Sequence, residues 1–386
     1  MHLDKKLDVL PLTKTNPKTL EALFGKKDIT PMWVADMEFE IDASIQSALI
    51  NRISNSGFGY EYKSKSFYTA QKNWYKKQYQ VDLNQEHTFY SPSLTTAIAI
   101  IIENFTSEKD GIIIQPPVFM EFRDVIRNTK RRITKNALKF ENGIYQIDFE
   151  DLKEKAKLEN NKILILCNPH NPVGRVWKKE ELEKIINICK ENNLILISDE
   201  IHKDIIFFDN KFTSLLQFEN VWNKIIVCTS EAKTFNIPGI SDAMIIIPNE
   251  EIRNSVKTTF KKYNLGRTNA LTSVALETAY NNGDFWLKKL IITIENNVNL
   301  IEEEIEKSNS KIKLIKPEGT YQVWLDFNDV FQDTKVMFHQ VIEKSGIGIN
   351  AGHWFGREGA LFMRMNIATT KEKVQFAIKQ IISSVL

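Results

Sequence analysis

The chain has 386 residues, of which 42% are hydrophobic and 26% are charged, and its formal net charge is +2. This composition is ordinary for a soluble globular protein and excludes a largely disordered chain. A charge so close to neutral argues against a surface that attracts nucleic acid through bulk charge. The length allows one large domain and a smaller one.

No segment of the sequence predicts a membrane protein or a metal site. Residues 1–6 lack an apolar signal region, and no apolar run approaches the length that spans a bilayer. Of the three cysteines, Cys167 and Cys228 lie in or beside apolar strands, which favours buried, reduced thiols over a disulfide. No CxxC pair or metal-ligand spacing occurs. We therefore predict a cytoplasmic protein without a metal and without nucleic-acid or membrane partners.

Apolar strands alternate with helical stretches along most of the chain. Residues 1 to about 30 are polar and are predicted to form an irregular arm, followed by an extended stretch at 31–40. Hydrophobic periodicity predicts helices at 44–53, 66–79, 97–105, 148–158, 178–191, 250–263, 272–280 running on into 284–307, 334–345 and 371–385. Short β-branched runs predict strands at 111–115, 132–134, 163–166, 194–198, 225–228, 242–247, 311–315, 321–326 and 361–366. This alternation predicts an α/β fold.

Hydroxyl side chains precede the apolar helix that is predicted to begin near residue 97. Ser93, Thr95 and Thr96 stand where side-chain oxygens satisfy the free N–H groups of a helix start. The same N-terminus can instead hold a phosphate. Both interpretations stay open on these residues alone.

Three polar side chains follow three consecutive buried strands. Asn171 follows the strand at 163–166, Asp199 the strand at 194–198, and Lys233 the strand at 225–228. In a doubly wound parallel sheet these strand ends converge on one crevice. A carboxylate and an amine are what pyridoxal phosphate requires, because the acid keeps the ring nitrogen protonated and the amine holds the aldehyde. The pattern therefore favours a pyridoxal-phosphate site.

Four motifs, in order along the chain, resemble one enzyme family. They are Asn168-Pro169-His170-Asn171-Pro172, Asp199-Glu200-Ile201-His202, Ser230-x-x-Lys233-x-Phe235-Asn236 and, near the N-terminus, Pro31-Met32-Trp33-Val34-Ala35-Asp36-Met37. The first three resemble fold-type I pyridoxal-phosphate enzymes of the class I/II aminotransferase superfamily. The fourth narrows the resemblance to the cystathionine β-lyase (C–S lyase) branch. The resemblance extends from about residue 31 to the end of the chain.

This resemblance implies a fold, a cofactor and an assembly. The expected fold is a large domain with a mixed, mostly parallel, doubly wound sheet, together with a smaller α+β domain. Residues 1–48 would form an N-terminal arm and part of the small domain, 49–283 the large pyridoxal-phosphate-binding domain, and 284–386 the small C-terminal domain. The expected assembly is a homodimer with shared active sites, in which Tyr60 reaches the cofactor phosphate of the neighbouring subunit.

The resemblance also assigns roles around the cofactor. Lys233 would form the Schiff base and then move the α-proton as general base and acid. The other implied cofactor-binding residues are Asp199 at the ring nitrogen, Asn171 and His202 near the ring oxygen, Phe119 on the ring face, and Ser230, Leu94 and Thr95 at the phosphate. Other interpretations remain for three of them: Asp199 as a cap, Asn171 as a turn residue and His202 as a packed core residue.

The substrate side depends on one arginine in an apolar strand. Arg364 is a charge among hydrophobic residues, which is costly unless the charge is paired. By resemblance its partner is the substrate α-carboxylate, and a structural salt bridge is the alternative. The segment formed by Trp33, Val34, Ala35 and Asp36 would line the other side of the substrate.

Two positions depart from the family pattern. Phe119 stands where a tyrosine normally stacks on the ring, so stacking is retained and the hydroxyl is lost. Ser241 stands eight residues after Lys233, where many relatives place an arginine that binds the phosphate. Arg267 either compensates for this arginine or is a surface charge.

The predicted reaction is β-elimination from L-cysteine S-conjugates such as cystathionine, giving a thiol, pyruvate and ammonia. The motif at 31–37 and His202 favour this reaction over transamination of an L-amino acid, which the same Lys–Asp–Asn set would also serve. No second arginine is placed for a distal carboxylate, and Trp33, Phe119, Trp354 and Phe355 predict a partly apolar pocket for thioethers. A regulatory binding protein that keeps the fold is a further alternative.

Overall fold

The computed structural model describes residues 10–55, 57–267 and 269–386. Its α-helices are α1 (Pro17–Phe24), α2 (Ala43–Ser54), α3 (Lys65–Tyr79), α4 (Leu94–Phe105), α5 (Glu121–Asn128), α6 (Phe149–Ala156), α7 (Lys179–Glu191), α8 (Glu250–Tyr263), α9 (Ala270–Asn282), α10 (Asp284–Glu306), α11 (Thr334–Ser345) and α12 (Lys371–Ser383). Its strands are β1 (Thr30–Pro31), β2 (Thr88–Ser91), β3 (Gly111–Ile114), β4 (Arg132–Lys135), β5 (Lys139–Glu141), β6 (Ile144–Gln146), β7 (Asn161–Cys167), β8 (Ile195–Asp199), β9 (Ile225–Thr229), β10 (Ala243–Ile246), β11 (Lys313–Ile315), β12 (Gln322–Asp326), β13 (Ile347–Gly348), β14 (Asn350–Ala351) and β15 (Phe362–Asn366).

A seven-stranded sheet in the order β2-β10-β9-β8-β7-β3-β4 forms the centre of the molecule. Strands β4, β3, β7, β8 and β9 run parallel, and β10 is antiparallel to both of its neighbours. Every residue of β8 and β9 is buried, because helices cover both faces of a parallel sheet. The predicted α/β class, with a mixed and mostly parallel doubly wound sheet, is confirmed.

The sheet register brings the predicted strand ends together. Cys167, at the end of β7, pairs with Asp199 at the end of β8, and Asp199 pairs with Cys228 in β9. The loops that follow these three adjacent strands therefore start at the same edge of the sheet. This edge is where open α/β sheets bind their ligands.

A second sheet, β11-β12-β15-β14, is antiparallel throughout. Its strand β15 carries Arg364, which pairs in register with Trp324 of β12 and Asn350 of β14. The short strand β1 pairs with β13, so the start of the described chain lies against its C-terminal part. The division of the chain at residues 48 and 283 stays a prediction.

The structure corrects the predicted irregular arm. Residues 17–24 form helix α1, which begins with Asn16 accepting hydrogen bonds from the N–H groups of Lys18 and Thr19 and ends at Gly25 with φ +74°. Leu20 and Phe24 on this helix are buried, so the segment packs on the core. The prediction rested on the polar composition of residues 1–30, and the composition concealed this short amphipathic helix.

Two further differences concern helix boundaries. The helix predicted from residue 97 begins at Leu94, because the Ser93 hydroxyl accepts from the Thr96 N–H and caps the first turn. The continuous helix predicted across residues 272–307 is divided at Gly283 into α9 and α10. A Cβ at this position would lie 2.6 Å from the Ala279 carbonyl oxygen.

Candidate active site

A cavity opens at the sheet edge where β7, β8 and β9 end. It encloses about 680 Å³ of empty space, part of which is open to solvent. Its lining brings together residues from the N-terminal segment, the start of α4, the loop before α5 and the three strand ends: Ala35, Ser93, Leu94, Thr95, Phe119, Glu121, Cys167, Asn171, Asp199, Ile201, His202 and Lys233. Eight of the predicted site residues therefore line a single cavity.

Lys233 lies in the loop after β9, with its amine directed at the N-terminal segment. Its Nζ donates a hydrogen bond to the Ala35 carbonyl oxygen at 2.6 Å. Burial lowers the pKa of this amine below its ordinary value, and the carboxylates of Asp36 and Glu121 oppose that shift. A lowered pKa increases the neutral fraction of the amine, which is the form that attacks carbonyls and accepts protons.

Asp199 ends β8 and is 3% exposed. One carboxylate oxygen accepts from the Ile201 N–H at 3.0 Å. Burial raises the pKa of this carboxyl to about 7, although the hydrogen bond from Ile201 favours its charged form. A cationic ring nitrogen in the cavity would restore the charged form of Asp199.

Arg364 is 4% exposed and donates three hydrogen bonds, all to neutral oxygens. Its guanidinium reaches the side-chain oxygen of Asn171 at 3.0 Å, that of Asn350 at 2.8 Å and the Trp33 carbonyl at 2.9 Å. Burial lowers the pKa of the guanidinium to about 9. No carboxylate is among its bonded partners in the described chain, which disfavours the alternative of a structural salt bridge.

Asn171 and His202 line the same cavity as Asp199. Because Asn171 accepts from Arg364, its Nδ2 remains available to donate to an oxygen in the cavity. Burial, together with Lys233 and Arg364, lowers the pKa of His202 to about 3, so its imidazole is neutral at physiological pH. His202 also packs edge-on against Tyr321 at 5.7 Å between ring centroids.

The N-terminus of α4 forms one end of the cavity. Ser93, Leu94 and Thr95 line it, and the Ser93 hydroxyl lies 3.0 Å from that of Thr95. The first N–H groups of a helix have no partner within the helix and favour an anion. Ser230 lies outside this lining, where its hydroxyl donates to the Asp242 carbonyl at 2.8 Å and lies 3.0 Å from the Ser241 hydroxyl.

The segment at residues 33–36 lies against the cavity with its carbonyl groups fixed from several directions. The Trp33 carbonyl accepts from Arg364, and the Val34 carbonyl accepts from Asn366 at 2.6 Å. The Ala35 carbonyl accepts from Lys233 and from the Tyr321 hydroxyl at 2.9 Å.

Two predicted residues lie at or beyond the edge of this arrangement. The Asp36 carboxylate is directed toward the Lys14 amine at 3.3 Å and does not line the cavity. Tyr60 is 92% exposed, away from the cavity of its own chain, and the Arg267 guanidinium lies over its ring at 5.1 Å. Their predicted roles stay predictions.

The residues present fit pyridoxal phosphate. A buried carboxylate, an amine of lowered pKa and a helix N-terminus line one cavity, which corresponds to the ring nitrogen, aldehyde and phosphate of that molecule. The side chain of Phe119 supplies an apolar face at the same cavity. Arg364 Nε and His202 Nδ1 are buried without hydrogen-bond partners in the described chain, as expected for a site that is completed by ligands.

Three residues of the site were missed from the sequence. Glu121 lines the cavity, and Tyr321 and Asn350 position the Ala35 carbonyl and Arg364. No local pattern marks these three, because their neighbours in space come from distant parts of the chain. Ser93, which the sequence placed at a helix start, also lines the cavity.

Among the described residues, no helix is long and apolar enough to cross a membrane. The same residues contain no group of His, Cys, Asp and Glu arranged to hold a metal ion. All three cysteines are buried and free, as predicted for Cys167 and Cys228.

The relatives found by comparison with known proteins agree with the geometry of the cavity. The chain is 33% identical over 382 residues to the cystathionine beta-lyase PatB of Bacillus subtilis (strain 168), with 99% of each chain covered. A PLP-bound C–S lyase from Staphylococcus hominis has a TM-score of 0.91 and 29% identity, covering 100% of this chain and 98% of that one. A PLP-bound protein from Clostridium difficile 630 that is described as an aminotransferase has a TM-score of 0.94 and 34% identity, covering 97% of each chain. A family model described as aminotransferase class I and II matches residues 40–381. The chain belongs to the aminotransferase class I and II family.

Proposed function

We propose that this protein is a pyridoxal-phosphate-dependent C–S lyase that cleaves L-cystathionine or other L-cysteine thioethers. The observation that carries the proposal is the buried guanidinium of Arg364, which has only neutral partners and lies beside the cavity that holds Lys233 and Asp199. Two of the similar proteins described above are named a cystathionine beta-lyase and a C–S lyase, which favours elimination over transamination.

Arg364 binds the substrate α-carboxylate through paired N–H groups. A planar guanidinium matches a carboxylate with two parallel hydrogen bonds. The side chains of Asn171 and Asn350 hold the guanidinium plane, and Phe355 packs against it at 4.7 Å from ring centroid to guanidinium carbon. A carboxylate fixed in this way sets the direction of the Cα–H bond.

Lys233 moves the proton of Cα. Pyridoxal phosphate, when bound, withdraws electrons from Cα and so makes that proton removable. The Lys233 amine, released from the Ala35 carbonyl, takes the proton, and the Cβ–S bond breaks with its electron pair leaving on sulfur. Lys233 then returns its proton to the thiolate, and hydrolysis of the remaining three-carbon fragment gives pyruvate and ammonia, so one water is consumed and one thiol is released.

The cavity lining suits a thioether better than a short dicarboxylate. Lys233 is the only cation among the described residues that line it. An aminotransferase of short dicarboxylates needs a second cation close to the first, whereas the second carboxylate of L-cystathionine lies beyond its sulfur. Phe119, Leu94 and Ile201 contribute apolar surface at the same cavity.

A homodimer in which Tyr60 reaches the partner's site is part of the proposal. Phe58, Tyr60 and Tyr62 are 59%, 92% and 86% exposed, which is an unusual concentration of aromatic surface on one loop. Sedimentation equilibrium of the holoenzyme tests the dimer. A monomer at micromolar concentration would contradict it.

The reaction is tested by product analysis with purified protein, pyridoxal phosphate and L-cystathionine, with and without a 2-oxo acid. Pyruvate, ammonia and free thiol without the oxo acid are expected. Turnover that requires the oxo acid and releases no thiol would establish an aminotransferase instead. The Lys233→Ala variant is the control, because it removes the group that carries the proton and should lower elimination by at least about a thousandfold.

A further inference from the structure

A buried ion pair lies beside the loop that carries Lys233. The Lys203 ammonium is 3.3 Å from the Glu231 carboxylate, and neither side chain is more than 1% exposed. Lys203 also donates a hydrogen bond to the Thr229 hydroxyl at 2.9 Å. Both charged side chains lie outside the lining of the active-site cavity, and the reaction described above gives them no role. The loop is therefore held at two points before Lys233 by one ammonium group.

A second contact holds the same loop just after Lys233. The Thr234 hydroxyl donates to the Asp204 carboxylate at 2.6 Å, and the Tyr79 hydroxyl donates to the other oxygen of that carboxylate. The Asp204 carboxylate lies 3.6 Å from the Lys203 ammonium, so the two residues form one polar cluster. This cluster attaches the chain on both sides of Lys233 to residues 203 and 204.

The cluster joins the two segments that supply the acid and the amine of the site. Asp199 ends β8, and His202, which also lines the cavity, comes directly before Lys203. The segment that carries these residues therefore holds the Lys233 loop through Lys203 and Asp204. Without this attachment, the Lys233 amine would be free to move relative to the Asp199 carboxylate.

The energetics of the pair favour a role in position over a role in stability. Burial alone would lower the pKa of Lys203, but the carboxylates of Glu231 and Asp204 raise it above its ordinary value, so the ammonium stays charged. The cost of taking two charges out of water offsets most of their attraction, and apolar side chains of similar size often give equal stability. An ion pair with hydrogen bonds, however, accepts fewer arrangements than an apolar contact does.

We propose that Lys203 is a positioning residue, whose ammonium fixes the loop so that the Lys233 amine meets the proton on Cα of the substrate. This inference rests on the proposed lyase function and adds a residue to its machinery. Because Lys203 lies outside the cavity lining, its loss should slow proton transfer and leave substrate binding by Arg364 nearly unchanged. A displacement of about 1 Å in a reacting group lowers a rate by up to about a hundredfold.

Two variants separate position from stability. Lys203→Met removes the ammonium from beside the buried Glu231 carboxylate and should lower the Tm, whereas Lys203→Met combined with Glu231→Leu removes both charges and should recover most of it. The double variant should still show a kcat for L-cystathionine at least about tenfold below that of the parent, with KM changed less than about threefold. Ile186→Ala is the matched control, because it removes buried apolar contacts in α7 and lowers the Tm. Its kcat should stay within about twofold of the parent value.

Hydrogen exchange of the cofactor-free protein tests the loop without any reaction. In the parent, the Phe235 and Ile237 N–H groups are bonded within the loop, each at 3.1 Å from a carbonyl oxygen. Peptides that cover residues 230–237 should exchange at least about tenfold faster in the double variant, whereas Ile186→Ala should accelerate the peptides of α7 instead. Faster exchange of the loop would support the inference even if no substrate gave pyruvate. Unchanged exchange of the loop in the double variant, with pyruvate released at the parent rate, would overturn the inference and leave the lyase function intact.

Discussion

Replacing Arg364 with alanine should weaken substrate binding much more than cofactor binding, so this variant tests the role assigned to Arg364. The guanidinium is 4% exposed, and none of its hydrogen-bond acceptors carries a charge. It therefore has unused capacity to bind an anion. The variant removes this cation without replacing Lys233, Asp199 or the N-terminus of α4, and because Arg364 lowers the pKa of Lys233, that pKa should rise.

The size of the effect follows from the bonds that are lost. A hydrogen bond to a charged group contributes about 1.5 to 3 kcal/mol, and a substrate carboxylate would accept two from Arg364. The lower end of this range gives about 3 kcal/mol in all, which corresponds to a decrease in kcat/KM of roughly 150-fold. Arg364→Lys keeps the charge without the planar pair of donors and should lie between the parent and the alanine variant.

The assay is steady-state release of pyruvate over a range of thioether concentrations, with the cofactor titrated separately by its absorbance. Most of the loss should appear as a higher KM, and the dissociation constant of the cofactor should change less than threefold. A decrease in kcat/KM smaller than tenfold in Arg364→Ala, with cofactor affinity intact, would refute the assignment of Arg364 to the α-carboxylate.

Three further predictions concern the residues around the site. Burial raises the pKa of Asp199 to about 7, so in the cofactor-free protein the folded chain holds a proton between about pH 4 and 7 that the unfolded chain has released, and the free energy of unfolding falls as pH rises across this window. In urea-unfolding experiments, Asp199→Asn should remove the part of this pH dependence that corresponds to about one bound proton. Tyr321→Phe removes one of the two donors to the Ala35 carbonyl, which then accepts more strongly from the Lys233 ammonium. Labelling of Lys233 by an amine-selective reagent should therefore require a higher pH. An unchanged labelling profile would contradict an effect of Tyr321 on Lys233 through this carbonyl. Gly174→Ala forces a side chain onto a backbone at φ +76°, with its Cβ 2.7 Å from the nearest atom, and should cost about 3 kcal/mol of unfolding free energy, whereas Gly25→Ala, at φ +74° in open space, should cost about 1 kcal/mol.

The sequence predicted the parts of the site that are local in the chain. Asn171, Asp199 and Lys233 each follow an apolar strand directly, and parallel strands in adjacent positions bring such residues together. The sheet class, the family and the likeness to C–S lyases could be inferred for the same reason, since each depends on short motifs in a fixed order.

The remaining contacts depend on residues that are far apart in sequence. Tyr321 approaches the Ala35 carbonyl from 286 positions away, and Asn350 reaches Arg364 only because β14 and β15 pair in register. Helix α1 was missed because the amphipathic pattern of eight residues is weak against a polar background. Glu121 was missed because a charge at a helix start is ordinarily a solvated residue.

The contacts of the segment at residues 33–36 have a consequence for how the protein is made. The carbonyls of Trp33 and Val34 accept hydrogen bonds from Arg364 and Asn366, and β1 pairs with β13. One wall of the cavity therefore consists of residues from the first tenth and the last tenth of the chain. A nascent chain that has not yet left the ribosome through residue 366 therefore cannot complete this wall, even when the seven-stranded sheet has already formed. Competence to bind substrate therefore requires synthesis through residue 366, because a shorter chain lacks the side chains that hold this wall.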